Sequence, residues 1–232
     1  MSFDTLNDAG DEGDIQPAVW AQQTLWWSER YRSRGLLWPA DADWFANDPL
    51  GPMPHTHPNA SEIFFLATGS LQLTVGSDVL TLEPGDFVLV PPDTYHEPLN
   101  VGGTDLCVLV VVAPNWRDER WKPSGFVDSD YAGKAQLAGT AAPGPLPSDE
   151  LIESQVVELA PGQSLEVESR PDADRLVYVL EGVAHFTLEH LSGEVRSHQF
   201  VNVMAGARHQ VANHSERPMR YLSCWTAYGT GH

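Results

Sequence analysis

Between residues 62 and 113 short apolar runs alternate with breaks of Gly, Pro and Asp: EIFFLATG, SLQLTVG, DVLTLEPGD, FVLVPPD and LCVLVVVAP. These β-branched and aromatic runs have the length of strands, with turn residues where the chain must reverse. In SLQLTV, apolar Leu71, Leu73 and Val75 alternate with Gln72 and Thr74, the period of a half-buried strand. Residues 151–228 repeat the style in IESQVVELAPG, SLEVES, RLVYVLEG, VAHFTLEHL and RYLSCWTAY. The pattern predicts an all-β chain with a barrel in each half.

Outside these halves the pattern changes twice. Residues 114–150 begin with charges and tryptophans (PNWRDERWKPSGF) and continue into the Pro/Gly/Ala-rich GTAAPGPLPSDE, which predicts a connector with one helical turn. Residues 17–50 carry Trp20, Trp26, Trp27, Tyr31, Trp38, Trp44 and Phe45. So many rings need burial, and the segment is expected to pack on a barrel or give it an extra strand rather than form a ligand platform. The start, MSFDTLNDAGDEGD, lacks the basic and apolar regions of a signal peptide. The expected organisation is an acidic mobile tail at 1–14 and an N-terminal barrel with its aromatic leader at 15–113. A connector at 114–150 and a C-terminal barrel at 151–232 follow.

The two halves are copies in register. Glu62 and Arg175, Gly69 and Gly182, His96 and His209, and Asn100 and Asn213 are each 113 positions apart. One offset met at several landmarks without a gap indicates a tandem duplication.

Charge and cysteine content narrow the partners. The formal net charge is -19, from 32 acidic and 13 basic residues, which argues against nucleic-acid backbones and anionic membranes. No run approaches the roughly 18 apolar residues of a membrane span. The two cysteines, Cys107 and Cys224, sit in apolar runs and suggest buried free thiols rather than a disulfide framework. A cytoplasmic protein acting on a small molecule is expected, with a homodimer left open.

The chemistry concentrates in PHTHPNASE and in YHEPLN. His55 and His57, one residue apart on a strand, share a face, and each can offer a neutral ring nitrogen. PNAS turns the chain and Glu62 opens the next strand; His96 returns after the PPDT turn. A lone histidine is more often a surface or hydrogen-bonded residue than a ligand, but three imidazoles and a carboxylate converging from three strands suit a divalent metal. Four protein ligands would leave an octahedral ion two open positions. Phe64, Leu66, Leu71, Leu73, Val75, Phe87 and Leu89 are the candidates for an apolar lining around it.

These motifs resemble those of the cupin superfamily, specifically a bicupin of the quercetinase-like, metal-dependent dioxygenase type. In PMPHTHPNASEIFFLATG, His55, His57, Glu62 and Gly69 match the first cupin motif, although Pro49 stands where that motif has its leading glycine. In GDFVLVPPDTYHEPLN, Gly85, Pro91, His96 and Asn100 match the second, with Asp93 in place of the turn glycine. The resemblance is close over about 45–113 and looser over 151–228. It implies two tandem double-stranded β-helix (jelly-roll) barrels and an oxygenase whose small substrate chelates the metal through oxygen, with dioxygen as co-substrate. Fe(II) is the favoured ion, one per chain, with Mn, Ni or Zn as alternatives. The family also implies a redox-neutral isomerase, lyase or decarboxylase, or a non-catalytic binder, and fold alone does not choose. Tyr95, beside His96, is a candidate general base, against the commoner reading of a packed strand tyrosine.

At the same offset the second half carries Glu168, Arg170 and Arg175 where the first has His55, His57 and Glu62; only His209 keeps its type. A guanidinium cannot coordinate a metal and would repel one, so this barrel is expected to be metal-free. Glu168, Arg170, Arg175 and His209 form either a structural cluster of internal pairs or an anion pocket. His185, His190, His198, His214 and His232 fit no ligand pattern and read as surface residues.

Overall fold

The computed structural model describes residues 54–103, 106–114 and 134–227, with the strand course of 24–27, 32–38 and 120–121. The acidic tail, Trp20, Tyr31, Trp44, Phe45 and His232 lie outside the described residues. Of Trp26, Trp27 and Trp38 only the strand positions are described. Every described element is a strand or turn, and the chain divides into two compact units, one spanning Trp27–Gly139 and the other including Thr140–His232.

The strands of the first half are β1 (Thr24–Trp27), β2 (Arg32–Trp38), β3 (His55–Thr56), β4 (Ser61–Thr68), β5 (Leu71–Val75) and β6 (Asp78–Leu82). They continue with β7 (Asp86–Val90), β8 (His96–Asn100), β9 (Leu106–Ala113), β10 (Arg120–Trp121) and β11 (Gln136–Gly139). One sheet runs in the order β2-β9-β4-β7-β11 and the other β10-β3-β8-β5-β6. Strand β2, from the aromatic leader, pairs antiparallel with β9 from Arg32 opposite Val112 to Trp38 opposite Leu106. The core between the sheets gathers Phe64, Leu66, Val88 and Val90 from one and Leu71, Leu73, Val75 and Leu82 from the other.

Segment 114–150, expected to lack strands and to carry a helical turn, supplies β10, β11 and later β12; its residues 115–119 and 122–133 lie outside the described residues. Strand β11 adds to the edge of β7 with Gln136 opposite Leu89. That pairing uses backbone groups, so QLAG needs no hydrophobic alternation to join the sheet.

The second half holds β12 (Gly144–Pro145), β13 (Ile152–Leu159), β14 (Ala173–Glu181), β15 (Val183–Leu188), β16 (Leu191–Arg196), β17 (Phe200–Val203), β18 (His209–Ala212) and β19 (Met219–Ala227). Its sheets run β12-β13-β19-β14-β17 and β16-β15-β18.

The 113-position offset holds in three dimensions. The bulge between Leu66 and Thr68 on β4 recurs between Val179 and Glu181 on β14. Gly69 (φ 89°) is matched by Gly182 (φ 88°), where a Cβ would come within 2.9 Å of Met219 Cβ. Asp93, the residue standing for the turn glycine, adopts φ 56°, and its counterpart Gly206 adopts φ 83°. The left-handed turn survives the replacement because a short polar side chain tolerates it.

Candidate metal centre

Strands β3 and β8 pair antiparallel with His55 directly opposite His96. After His57 the turn through Asn59 (φ 59°) leads into β4, whose second residue is Glu62. The amide of Asp93 donates to the carbonyl of His57 at 3.0 Å, tying the PPDT turn to the His-x-His segment. Backbone pairing thus brings together the four side chains singled out in the sequence, and all four are buried.

Their donor atoms converge. His55 Nε2 lies 2.9 Å from His57 Nε2 and 3.1 Å from His96 Nε2; Glu62 Oε2 lies 2.9 Å from His57 Nε2 and 2.5 Å from His96 Nε2. All four donor atoms fall within 4.8 Å of one another. Adjacent ligands about 2.1 Å from a shared octahedral ion are themselves about 3 Å apart. His96 Nδ1 donates to the carbonyl of Thr94 at 2.9 Å, which leaves Nε2 with its lone pair turned to the cluster. Glu62 Oε2 is buried and has no hydrogen bond of its own. Buried acceptors facing one another are costly unless a cation lies among them, and two or three imidazoles with a carboxylate suit a divalent metal. The donor set fits a metal ion.

Burial alone, the largest single influence, would raise the pKa of Glu62. In their protonated forms His96 and then His57 outweigh it and hold the carboxyl well below its ordinary value of 4.5; with the rings neutral, a bound cation would take their place. Glu62 is therefore a carboxylate ready to bind a cation.

Cross-strand register identifies the walls. Val90 and Val112 flank Glu62 on neighbouring strands, Val75 stands opposite His96, and the Phe64 ring lies 5.9 Å from that of His96. Phe64 pairs with Val88, whereas Ile63 pairs with Leu89 and Phe65 with Phe87. Phe87 and Leu89, two of the expected lining residues, are therefore buried on the opposite face, and Val88 and Val90 take their place. The run FVLV is apolar on both faces, so no alternation marked which residues turn inward.

Tyr95 is fully buried, and its hydroxyl donates to Glu97 Oε2 at 2.8 Å. On β8 alternation sets Glu97 on the face opposite His96, and the Tyr95 hydroxyl is turned to Glu97.

In the second barrel Glu168 forms a bridge pair with His209, as His55 does with His96. Arg175 is 1% exposed. It pairs with Glu168, donates to His209 Nε2 at 2.8 Å and to Ser223 Oγ at 2.9 Å, and reaches Tyr221 Oη at 3.5 Å. Arg170 pairs instead with Glu153, at 2.6 Å, and stacks 4.3 Å from the Trp225 ring. Burial, with Arg175 adding to it, pushes His209 below its ordinary value of 6.5, so the ring is neutral and accepts from the guanidinium. The partners Tyr221, Ser223 and Trp225 sit where β9 has Val108, Val110 and Val112. The offset could have disclosed those replacements; Glu153 has no such signal. Of the histidines expected at the surface, His190, His198 and His214 are exposed, while His185 is half-buried with its ring stacked on His214 at 4.3 Å.

Comparison with known proteins gives a match to the Cupin domain over residues 48–112 and again over 155–225. Germin-like protein 1 of Brassica napus is 38% identical over 68 residues, 27% of this chain and 33% of that protein. The chain thus spans about a third of that relative's length. A crystal structure of salicylate 1,2-dioxygenase from Pseudoaminobacter salicylatoxidans superposes with a TM-score of 0.62 at 11% identity, covering 86% of this chain and 72% of that one. A structure of oxalate decarboxylase gives 0.62 at 13% identity, covering 97% and 80%. At these identities the likeness is one of fold.

Proposed function

The chain belongs to the cupin domain family over both halves, and from that membership we propose that its first barrel is a mononuclear metal centre of an oxygenase acting on a small, oxygen-chelating organic substrate. The observation that carries the reading is the convergence of His55, His57, Glu62 and His96 on one point, with Glu62 Oε2 buried and without a hydrogen bond. Those four residues would hold one divalent ion per chain, with Fe(II) favoured and Mn, Ni or Zn as alternatives. When bound, such an ion would supply Lewis acidity toward a substrate's oxygens, toward dioxygen, or toward one of each.

The chain's own residues have separate tasks. The Thr94 carbonyl fixes the His96 tautomer, leaving Nε2 to bind the ion, and the Glu62 carboxylate would supply the negative charge facing it. Phe64, Val75, Val90 and Val112 surround the donors with hydrocarbon, which strengthens electrostatic attraction there and keeps stray water from the reacting centre. That wall also selects a substrate that is apolar apart from its chelating oxygens. Among the described residues no helix is long and apolar enough to cross a membrane, and the free thiols of Cys107 and Cys224 suit a reducing compartment such as the cytoplasm.

The test is metal analysis of anaerobically purified protein. Oxygen-electrode screening of each reconstituted metal form against small hydroxy acids, diketones and catechols follows. Dioxygen uptake matched to substrate loss supports the oxygenase. Turnover without uptake replaces it with redox-neutral Lewis-acid chemistry by the same ion, and tight binding without turnover replaces it with a carrier.

A further inference from the structure

We infer that Arg175 is a built-in cation: its guanidinium stands in the second barrel where the first would bind its metal, so that barrel is a metal site closed by its own side chain. The inference rests on the metal reading of the first barrel only for the comparison, and the contacts stand by themselves. Glu168 and His209 occupy the positions of His55 and His96, and both are bound by one nitrogen, Arg175 Nη1. Arg175 itself occupies the position of Glu62, between Val203 and Trp225 as Glu62 lies between Val90 and Val112.

A ligand position has thus been replaced by a cation, and the residues around it have changed in the matching sense. His55 has become a carboxylate, Glu168, which a fixed positive charge requires. His209 keeps the tautomer of His96, with Nδ1 donating to the Ala207 carbonyl at 3.1 Å and Nε2 left as acceptor. Two valine positions of β9 have become Ser223 and Tyr221, which address the remaining guanidinium nitrogens. Trp225 replaces the third valine, and the Arg175 guanidinium carbon lies 4.8 Å from its ring. Donor residues and valines of the first barrel are matched in the second by arginine, its acceptors and an indole. An external carboxylate would have to displace Glu168, which is held at high effective concentration by the chain itself. The site is therefore self-satisfied, not a vacant anion pocket.

The test uses the full chain and Zn2+ as the probe. Arg170→His combined with Arg175→Glu restores donors at the replaced stations beside Glu168 and His209. This variant is expected to bind one equivalent of Zn2+ more than the wild type and to melt higher as Zn2+ is added; Arg175→Met gains neither. Because the increment over wild type is counted, it is read even if the first barrel binds no metal. A folded double variant with no extra equivalent overturns the inference, as does a wild-type equivalent that His209→Ala removes. If neither Arg175 variant folds, Glu168→Gln decides. Stranding a buried guanidinium without its carboxylate should lower the melting temperature on the order of 10 °C, and an unchanged melt overturns the inference.

Discussion

His96 and His209 hold the same station in successive barrels, each with Nδ1 donating to the carbonyl two residues before it, Thr94 at 2.9 Å and Ala207 at 3.1 Å. Their Nε2 atoms therefore present the same lone pair to opposite partners. His96 meets a carboxylate among other donors, and His209 meets a guanidinium. One orientation device serves a donor cluster suited to a metal in one copy and an internal ion pair in the other.

That contrast predicts unequal responses to histidine loss. His57→Ala should lower metal affinity roughly 100-fold or more and abolish turnover, because a direct ligand counts for at least as much as the residues that orient it. His209→Ala should leave metal content unchanged while lowering stability. Metal per chain and melting temperature on the same samples check both; equal metal retention in the two variants would remove His57 from the ligand set.

The walls of the first site predict a variant that separates metal binding from turnover. Val112→Trp copies the indole of the second barrel into the place beside Glu62. Metal content should stay near one per chain while kcat/KM falls at least about tenfold, with a stability cost of about 1–3 kcal/mol from overpacking. Undiminished turnover would mean that substrate does not approach along this wall.

Acid should weaken the second barrel through His209. The unfolded chain takes up a proton near 6.5, whereas the folded site holds His209 neutral to a lower pH. The stability this contributes is complete above 6.5 and is lost as pH falls from there toward the folded value. Thermal melts from pH 8 to 5 should decline less steeply for His209→Gln than for wild type. Parallel curves for the two proteins would refute this.

Truncation should divide the N-terminal segment sharply. Removing residues 1–14 takes away a polar, acidic stretch with little to bury and should leave melting unchanged. Removing residues 1–44 deletes β2 and strips β9 of its partner from Leu106 to Val112. Circular dichroism should show loss of the fold. A truncated chain that melts like the full protein, with altered substrate preference, would make the segment a cover over the site instead.

The fold was legible wherever one face of a strand is polar, as in β5, and wherever the two copies could be laid over each other. The His55, His57, Glu62 and His96 set was legible because its donors are rare residue types at spacings set by turns. The inward set on β7 was not, since Val88 and Phe87 are equally apolar and both buried. Nor was β11, which joins its sheet through the backbone. Arg175 was visible as an intruder, and the offset marks Ser223 and Tyr221 as replaced valines, but that they hold its guanidinium follows only from the register of β14 against β19, 48 and 46 positions away.

The shared bulges carry a last consequence. Because Leu66/Thr68 and Val179/Glu181 fall at one spacing, and so do the strands around them, residues 61–113 and 174–226 are segments of equal length with matching register. All divergence between the copies inside those limits has come by substitution, with no loop lengthened or shortened. Grafting the first segment onto the second scaffold therefore asks the chain to accommodate new side chains only; its turns, hairpins and path need no redesign.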